Sequence, residues 1–201
     1  VSGHGTIAVA HDATGRMSIV TLGTDARLYL FTQGSGPAGG WTQTELTAGL
    51  PAGLAVKDFS LAEAAPGTVL LAASVTDAGD PSTGLVYTLR SLATPAAWTR
   101  LGAAGKAIAI EQIAAGFLAD DTPKVVVATR AAGAPTCSII DVDLAGGSAW
   151  TSLPSHPDLV GVSELAIGQV TTLLSGVYVA FTDASKTQHA GFLSFPSATI
   201  T

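Results

Sequence analysis

Several residue types are scarce or absent in this 201-residue sequence, and each absence excludes a class of protein. Cys137 is the only cysteine, which rules out an internal disulfide and any cysteine-based zinc cluster. We expect it to be a small buried apolar residue rather than a reactive thiol. Asn does not occur at all, so the chain has no N-glycosylation site.

Charged residues and long apolar stretches are also scarce. Only 12% of residues are charged, and the nine Lys and Arg residues are scattered singly in a chain of net charge −6. This pattern argues against nucleic acid or anionic lipid as a partner. Apolar runs such as "TVLLAASV" and "KVVVAT" fall far short of the ~20 residues of a membrane-spanning helix. The sequence therefore predicts a soluble protein without membrane insertion.

What the sequence does contain is a repeat with a period of about fifty residues. Each tryptophan lies in a similar setting, with small residues before it, Thr after it and Leu shortly beyond. The three copies are "GGWTQTEL" at 39–46, "AAWTRL" at 96–101 and "SAWTSL" at 148–153. Three short segments rich in Val, Ile, Leu and Thr precede each copy, separated by Gly, Pro, Asp and Ser.

Four short antiparallel strands repeated at this interval are typical of β-propeller blades. We therefore predict an all-β chain with blades at about 6–49, 55–105, 107–158 and 160–201 in one propeller domain or fragment, 1–201. The segment "AAGKAIAIEQIAAGFL" at 103–118 could also form a helix. Its alignment with the first strand of the other units favours a strand.

The fourth unit has no recognisable tryptophan strand, and two explanations remain open. Four blades could close a small ring, with the terminal "SATIT" or "VSGHG" completing the last sheet. Alternatively, the chain contributes to a larger ring together with other propeller segments or subunits. The chain begins with Val1 rather than Met, so we expect a processed product or a piece of a longer polypeptide.

The first unit, "GRMSIVTLGTDARLYLFTQ…GGWTQTEL", resembles blades of tectonin-like and fucose-binding propeller lectins. The third unit, "AAGFLADDTPKVVVA", is similar to the integrin-type FG-GAP repeat. The calcium loop of that family needs alternating Asp residues, which "LADDTP" does not supply. We therefore predict no metal site and no cofactor.

The lectin resemblance implies sugar sites between blades, where aromatic side chains stack on the sugar ring. The tryptophans that match are Trp41, Trp98 and Trp150. The preferred alternative is that each tryptophan packs between its blade and the next.

A Thr-Asp step ends the second strand of three units, which adds Asp25, Asp77 and Asp183 as candidate acceptors for sugar hydroxyls. Here the preferred alternative is that each carboxylate caps its own turn. Arg130 occupies the corresponding place in the third unit, where a solvated surface residue is expected. Asp141 and Asp143 are likewise expected on a solvated strand face.

The near alignment of Asp58, Glu111 and Glu164 on the first strands suggests an acidic ring at a channel mouth, where a cation or a basic peptide could bind. No local motif of a hydrolase nucleophile or phosphate loop is present. Such a motif is not required of an enzyme with this fold, because propeller hydrolases draw their residues from different blades. From the repeat resemblance we predict a non-enzymatic recognition module, with carbohydrate binding as the best single hypothesis. The alternative is a structural or protein-interaction propeller within a larger assembly. The expected partner is a glycan or a protein, and the expected location is extracellular or on the cell surface.

Overall fold

The structure is a computed structural model that describes residues 7–35, 39–77, 79–101, 108–144, 150–153, 159–171 and 174–195. The terminal segments "VSGHG" and "SATIT", expected to complete a sheet, lie outside these residues. Contacts divide the chain into two compact units, residues 1–106 and 107–201. Within the described ranges, no helix has the length and apolar character needed to cross a membrane.

The first unit consists of two four-stranded antiparallel sheets in which strand order follows sequence order. Sheet 1 contains β1 (Ile7–His11), β2 (Met17–Leu22), β3 (Leu28–Gln33) and β4 (Trp41–Glu45). A single 3-10 turn, Thr47–Gly49, follows it. Sheet 2 contains β5 (Leu54–Ala65), β6 (Thr68–Asp77), β7 (Asp80–Leu89) and β8 (Thr99–Arg100).

The second unit repeats this arrangement with one strand fewer among the described residues. Sheet 3 contains β9 (Ile108–Phe117), β10 (Pro123–Ala131), β11 (Ser138–Asp143) and β12 (Trp150–Ser152). Sheet 4 contains β13 (Gly161–Thr171), β14 (Leu174–Thr182) and β15 (Gln188–Ser194).

These sheets confirm the predicted fold class: the chain is nearly all-β, and its antiparallel sheets are propeller-like blades with an incomplete fourth copy in the described part. The described part of the segment that could have formed a helix contains strand β9, as the repeat alignment favoured; residues 103–107 lie outside the described residues. Its residues Ile110, Ile113 and Ala114 are buried, so both faces of this strand are covered.

Each sheet has two faces, named here from the packing in the first unit. The front face of sheet 1, which carries Val20, Leu28 and Leu30, packs on the back face of sheet 2, which carries Phe59 and Leu71. The second unit repeats this packing. The front face of sheet 3 packs on the back face of sheet 4, and its core includes Val126, Ala128, Ile139, Val177 and Val179.

A buried leucine after the fourth strand is the repeated element that locks the outer strand to its sheet. Leu46, Leu101 and Leu153 are at most 5% exposed. Their N–H groups donate to the carbonyl oxygens of Leu28, Val86 and Ile139, respectively. The leucine that follows each tryptophan in sequence is therefore a blade-closing residue.

The first strands of sheets 2, 3 and 4 share a β-bulge at the same position. The extra residues are Lys57, Glu111 and Ser163, and the residues that follow them pair with Ser74, Ala128 and Ala180. The bulge fixes the structural alignment of the repeats. It places Asp58 and Glu164 in register and Glu111, the bulge residue itself, one position before them. The acidic ring remains a prediction.

Candidate functional site

A groove of about 300 Å³ lies along the outer part of sheet 4. It is lined by Leu159, Val179, Phe181, His189, Ala190, Gly191, Phe192 and Leu193. The lining is mostly apolar with one imidazole, which is the composition of a small ligand site.

The groove exists because β15 is the outermost described strand of its sheet. In the other three sheets a fourth strand, β4, β8 or β12, covers the corresponding edge. Small residues widen the opening, since Ala190 and Gly191 project little from the strand. A side chain at Gly191 would point toward the ring of Phe181, whose nearest atom would be 3.9 Å from the added Cβ.

Asp183 forms a hydrogen-bonded rim beside this groove. Its Oδ1 accepts from the Ser185 N–H (2.8 Å), the Ser185 hydroxyl (2.7 Å) and the Thr187 N–H (2.9 Å). Its Oδ2 lies 2.8 Å from Nε2 of His189. The His189 contact and the Ser185 hydroxyl hold the pKa of Asp183 well below its usual range. The turn therefore presents an ionised carboxylate that fixes the direction of the His189 ring.

His189 links this polar rim to the apolar wall. Its ring stacks on Phe181 with ring centroids 5.3 Å apart and an angle of 27° between the planes. The two residues are cross-strand partners on β15 and β14. The site thus combines aromatic faces with a carboxylate–imidazole pair, so it can hold a ligand that has an apolar face and hydroxyl groups.

The other two predicted carboxylates also act as turn caps. Asp25 accepts from the Arg27 N–H (3.3 Å) and from the Tyr29 hydroxyl (2.6 Å), and the Tyr29 hydrogen bond lowers the pKa of Asp25. Asp77 accepts from the Gly79 N–H at 2.8 Å. The preferred turn-capping interpretation therefore describes what all three carboxylates do locally. Their role as ligand-binding residues remains a prediction.

The three tryptophans have different surroundings despite their shared sequence setting. Trp98 packs against the core of the first unit, and its indole N–H donates to the Leu46 carbonyl at 3.0 Å. Trp41 is 48% exposed at the outer end of sheet 1. Trp150 is half-buried on β12, opposite Val142. Trp98 is thus a packing element between adjacent sheets, and ligand binding by any of the three remains a prediction.

Arg130, expected at a solvated surface, is instead the centre of a hydrogen-bonded cluster. Its Nε donates to Glu111 Oε1 at 2.5 Å, and its other nitrogens reach the carbonyl oxygens of Pro135 and Val160. The Cys137 thiol donates to the second oxygen of Glu111 at 2.9 Å. The cluster joins β9, β10 and the segment that enters β13, so its role is structural.

Cys137 is 2% exposed, and burial followed by the Glu111 carboxylate raises the pKa of its thiol to about 12. Because only the thiolate reacts, we expect a disulfide reagent at pH 8 to label the folded protein about 1,000-fold more slowly than an unfolded control. Colorimetric thiol titration with and without urea measures this ratio. Equal rates in the two conditions would show that the thiol is accessible and ionisable.

Among the described residues, no three His, Cys, Asp or Glu side chains converge in a way that could hold a metal ion.

Comparison with known proteins places the fold but gives no family. No protein-family model and no curated protein matches the sequence. Among solved structures, the SapL1 lectin in complex with alpha methyl fucoside is similar, with a TM-score of 0.51 and 12% identity over 98% of this chain and 67% of that chain. The GH74 xyloglucanase from Xanthomonas campestris has a TM-score of 0.48 and 15% identity, over 94% of this chain and 30% of its own. A variant of the NanB sialidase from Streptococcus pneumoniae has a TM-score of 0.49 and 15% identity, over 92% and 28%. Likeness at these identities concerns the fold.

Proposed function

We propose that this protein is a non-catalytic recognition module that binds carbohydrate in the groove of sheet 4. The observation that carries the proposal is the pairing of a stacked Phe181–His189 wall with the Asp183 rim. A sugar ring has an apolar face, suited to an aromatic wall, and hydroxyl groups that hydrogen-bond to carboxylate and imidazole. The likeness in fold to a lectin solved with a fucoside supports the same ligand class.

The electrostatics of the groove suit Asp183 to accept hydrogen bonds rather than to donate a proton. A carboxylic acid that donates a proton in glycoside cleavage needs a raised pKa, near the working pH. The pKa of Asp183 is lowered instead, by His189 and the two turn residues that donate to it. Asp183 is therefore kept as an acceptor of hydrogen bonds.

The proposal extends to an extracellular or cell-surface location, where glycans are displayed.

Glycan-array screening followed by calorimetry with the best-bound sugar tests this function. We expect His189→Ala to weaken binding by at least about 10-fold, since it removes both the stacking surface and a hydrogen-bonding group. Asp183→Ala is expected to weaken binding as well, because it frees the His189 ring.

The chain offers a matched control in Asp12, which caps the first turn in the same way. Asp12 accepts from the Thr14 N–H (2.8 Å), the Thr14 hydroxyl (2.6 Å) and the Arg16 N–H (3.0 Å), but it belongs to the first unit and does not line the groove. Asp12→Ala should leave glycan affinity unchanged. Absence of glycan binding by the wild type, or equal losses in Asp12→Ala and Asp183→Ala, would refute the site.

A further inference from the structure

The exposed large hydrophobic side chains of the described residues are concentrated on two sheet faces. They are Ile7 (67% exposed), Val9 (50%), Met17 (39%), Trp41 (48%) and Tyr178 (44%). Strand alternation and register place the first four on the back face of sheet 1 and Tyr178 on the front face of sheet 4. Apolar exposure confined in this way is characteristic of an interaction surface.

The front face of sheet 4 differs in burial from the corresponding faces of the other sheets. The bulge alignment makes Tyr178 the counterpart of Ala72 and Val126, and the blade-closing leucines align Val20 of sheet 1 with these two. All three counterparts are 0% exposed. Ala190 is exposed, whereas its counterparts Leu28, Val86 and Ile139 are 0% exposed. Sheet 4 thus presents the kind of face that is covered in the rest of the repeat.

Two aromatic rings in contact occupy this face. The Tyr178 ring lies over Gly168, where an added Cβ would approach it to 2.5 Å, and Phe192 lies against Gly176 in the same way, at 2.6 Å. The two rings contact each other with centroids 4.9 Å apart. Glycine at both positions leaves room for these rings, whose planes are inclined by 55° to each other.

The back face of sheet 1 is also partly exposed. Beside its exposed side chains, Ile19 and Phe31 are only half-buried. In sheet 2 the back face is closed by the front face of sheet 1, and its residues Phe59 and Ala73 are at most 2% exposed. The back face of sheet 1 therefore presents the surface that, in sheet 2, receives a front face.

We propose that these two faces are a docking surface for a second copy of this chain. The front face of sheet 4 in one copy packs on the back face of sheet 1 in the other. This is the front-to-back packing seen between sheets 1 and 2 and between sheets 3 and 4. Because the two faces are different, the association is head-to-tail, and each copy keeps one face for a further neighbour unless a ring closes.

Two charge substitutions, mixed with each other, test the proposal. Wild-type protein in sedimentation velocity should associate as its concentration rises from about 1 to 100 µM. Val9→Lys blocks the back face of sheet 1 and Tyr178→Lys blocks the front face of sheet 4, and each variant alone should be monomeric. An equimolar mixture should form a dimer and nothing larger, because one intact pair of faces remains between the two variants.

Controls separate association from folding and from ligand binding. Both substituted side chains are already exposed, so the circular dichroism spectra and thermal midpoints of the variants should match those of the wild type. If Val9→Lys unfolds, Ile7→Lys is used in its place. Thr99→Lys, exposed on β8, should associate like the wild type. A wild type that stays monomeric at 100 µM overturns the proposal. A Tyr178→Lys variant that loses glycan binding and still self-associates without a second variant also overturns the proposal.

Discussion

Replacing Lys124 by Met is expected to lower the free energy of unfolding by about 3–5 kcal/mol, because it leaves a buried carboxylate without its counter-charge. Lys124 Nζ lies 3.2 Å from Asp141 Oδ2, and the two side chains are only 13% and 7% exposed. The ammonium group also lies 5.5 Å from the centre of the Phe195 ring. Urea denaturation followed by circular dichroism measures the loss.

The double variant Lys124→Met/Asp141→Leu separates the loss of the pair from the loss of its charge balance. It should recover most of the stability, since apolar replacement of both members of a buried pair is often neutral or stabilising. Asp141 Oδ1 has no hydrogen-bond partner in the described part of the chain. Burying it costs free energy in the wild type, so the double variant can more easily match the wild type in stability. If the free energy of unfolding of Lys124→Met lay within about 1 kcal/mol of the wild-type value, stability would not depend on the pair as expected.

Replacing Arg130 by Ala should be the second large loss, at about 3 kcal/mol after allowance for partial solvent exposure. The guanidinium, 28% exposed, joins Glu111 to two backbone carbonyls at the entry to β13. Arg130→Lys should recover only part of the loss, because an ammonium group cannot donate along the separate directions of a planar guanidinium. Chemical denaturation of both variants measures the difference.

Arg16→Ala is the matched control for Arg130. Arg16 also pairs with a carboxylate, at 2.7 Å from Asp12, but its side chain is 45% exposed. Exposed pairs contribute little, so its unfolding midpoint should stay close to that of the wild type. If Arg16→Ala and Arg130→Ala lost equal free energy of unfolding, the buried cluster around Arg130 would contribute no more than an exposed ion pair.

The fold could be predicted from the sequence because its signals are local and repeated. Short apolar segments, turn residues between them and a leucine after each tryptophan were enough to define the blades. The same repetition was misleading for the tryptophans, because similar sequence suggested similar roles. Trp98 is held by the Leu46 carbonyl 52 positions away, whereas Trp41 is half-exposed. That difference depends on which neighbouring sheet covers each residue.

Charged residues show the same limit of local information. Arg130 and Asp141 were expected in water because charged residues usually are. Asp141 is instead 5% exposed, paired with a lysine on the neighbouring strand, and Arg130 is enclosed by a bulge residue and a turn. These charges are buried because sheet 3 packs on sheet 4. The sequence of a single strand does not reveal such packing.

His189 and Phe181 were missed as site residues, although a signal for them was present. They flank the turn that begins at Asp183, and a hairpin brings residues at equal distances from its turn face to face. Pairing the two strands across "DASKTQHAG" would have placed the imidazole beside both the aromatic ring and the carboxylate. The groove itself lies along β15, the outermost strand of sheet 4 among the described residues, and was not visible from residue types.

The aspartate-capped turns also bear on how the protein ages. Side-chain carboxylates of Asp12, Asp25, Asp77, Asp120 and Asp183 hold turns in which Asn would serve as well. A chain without Asn has no such amide to lose by deamidation, the slow reaction that converts Asn to Asp or isoaspartate and adds negative charge. Nor does Gly, the residue most permissive of isomerisation, follow any Asp in the sequence. The turns therefore lack the Asn and Asp–Gly sequences at which these slow changes are fastest.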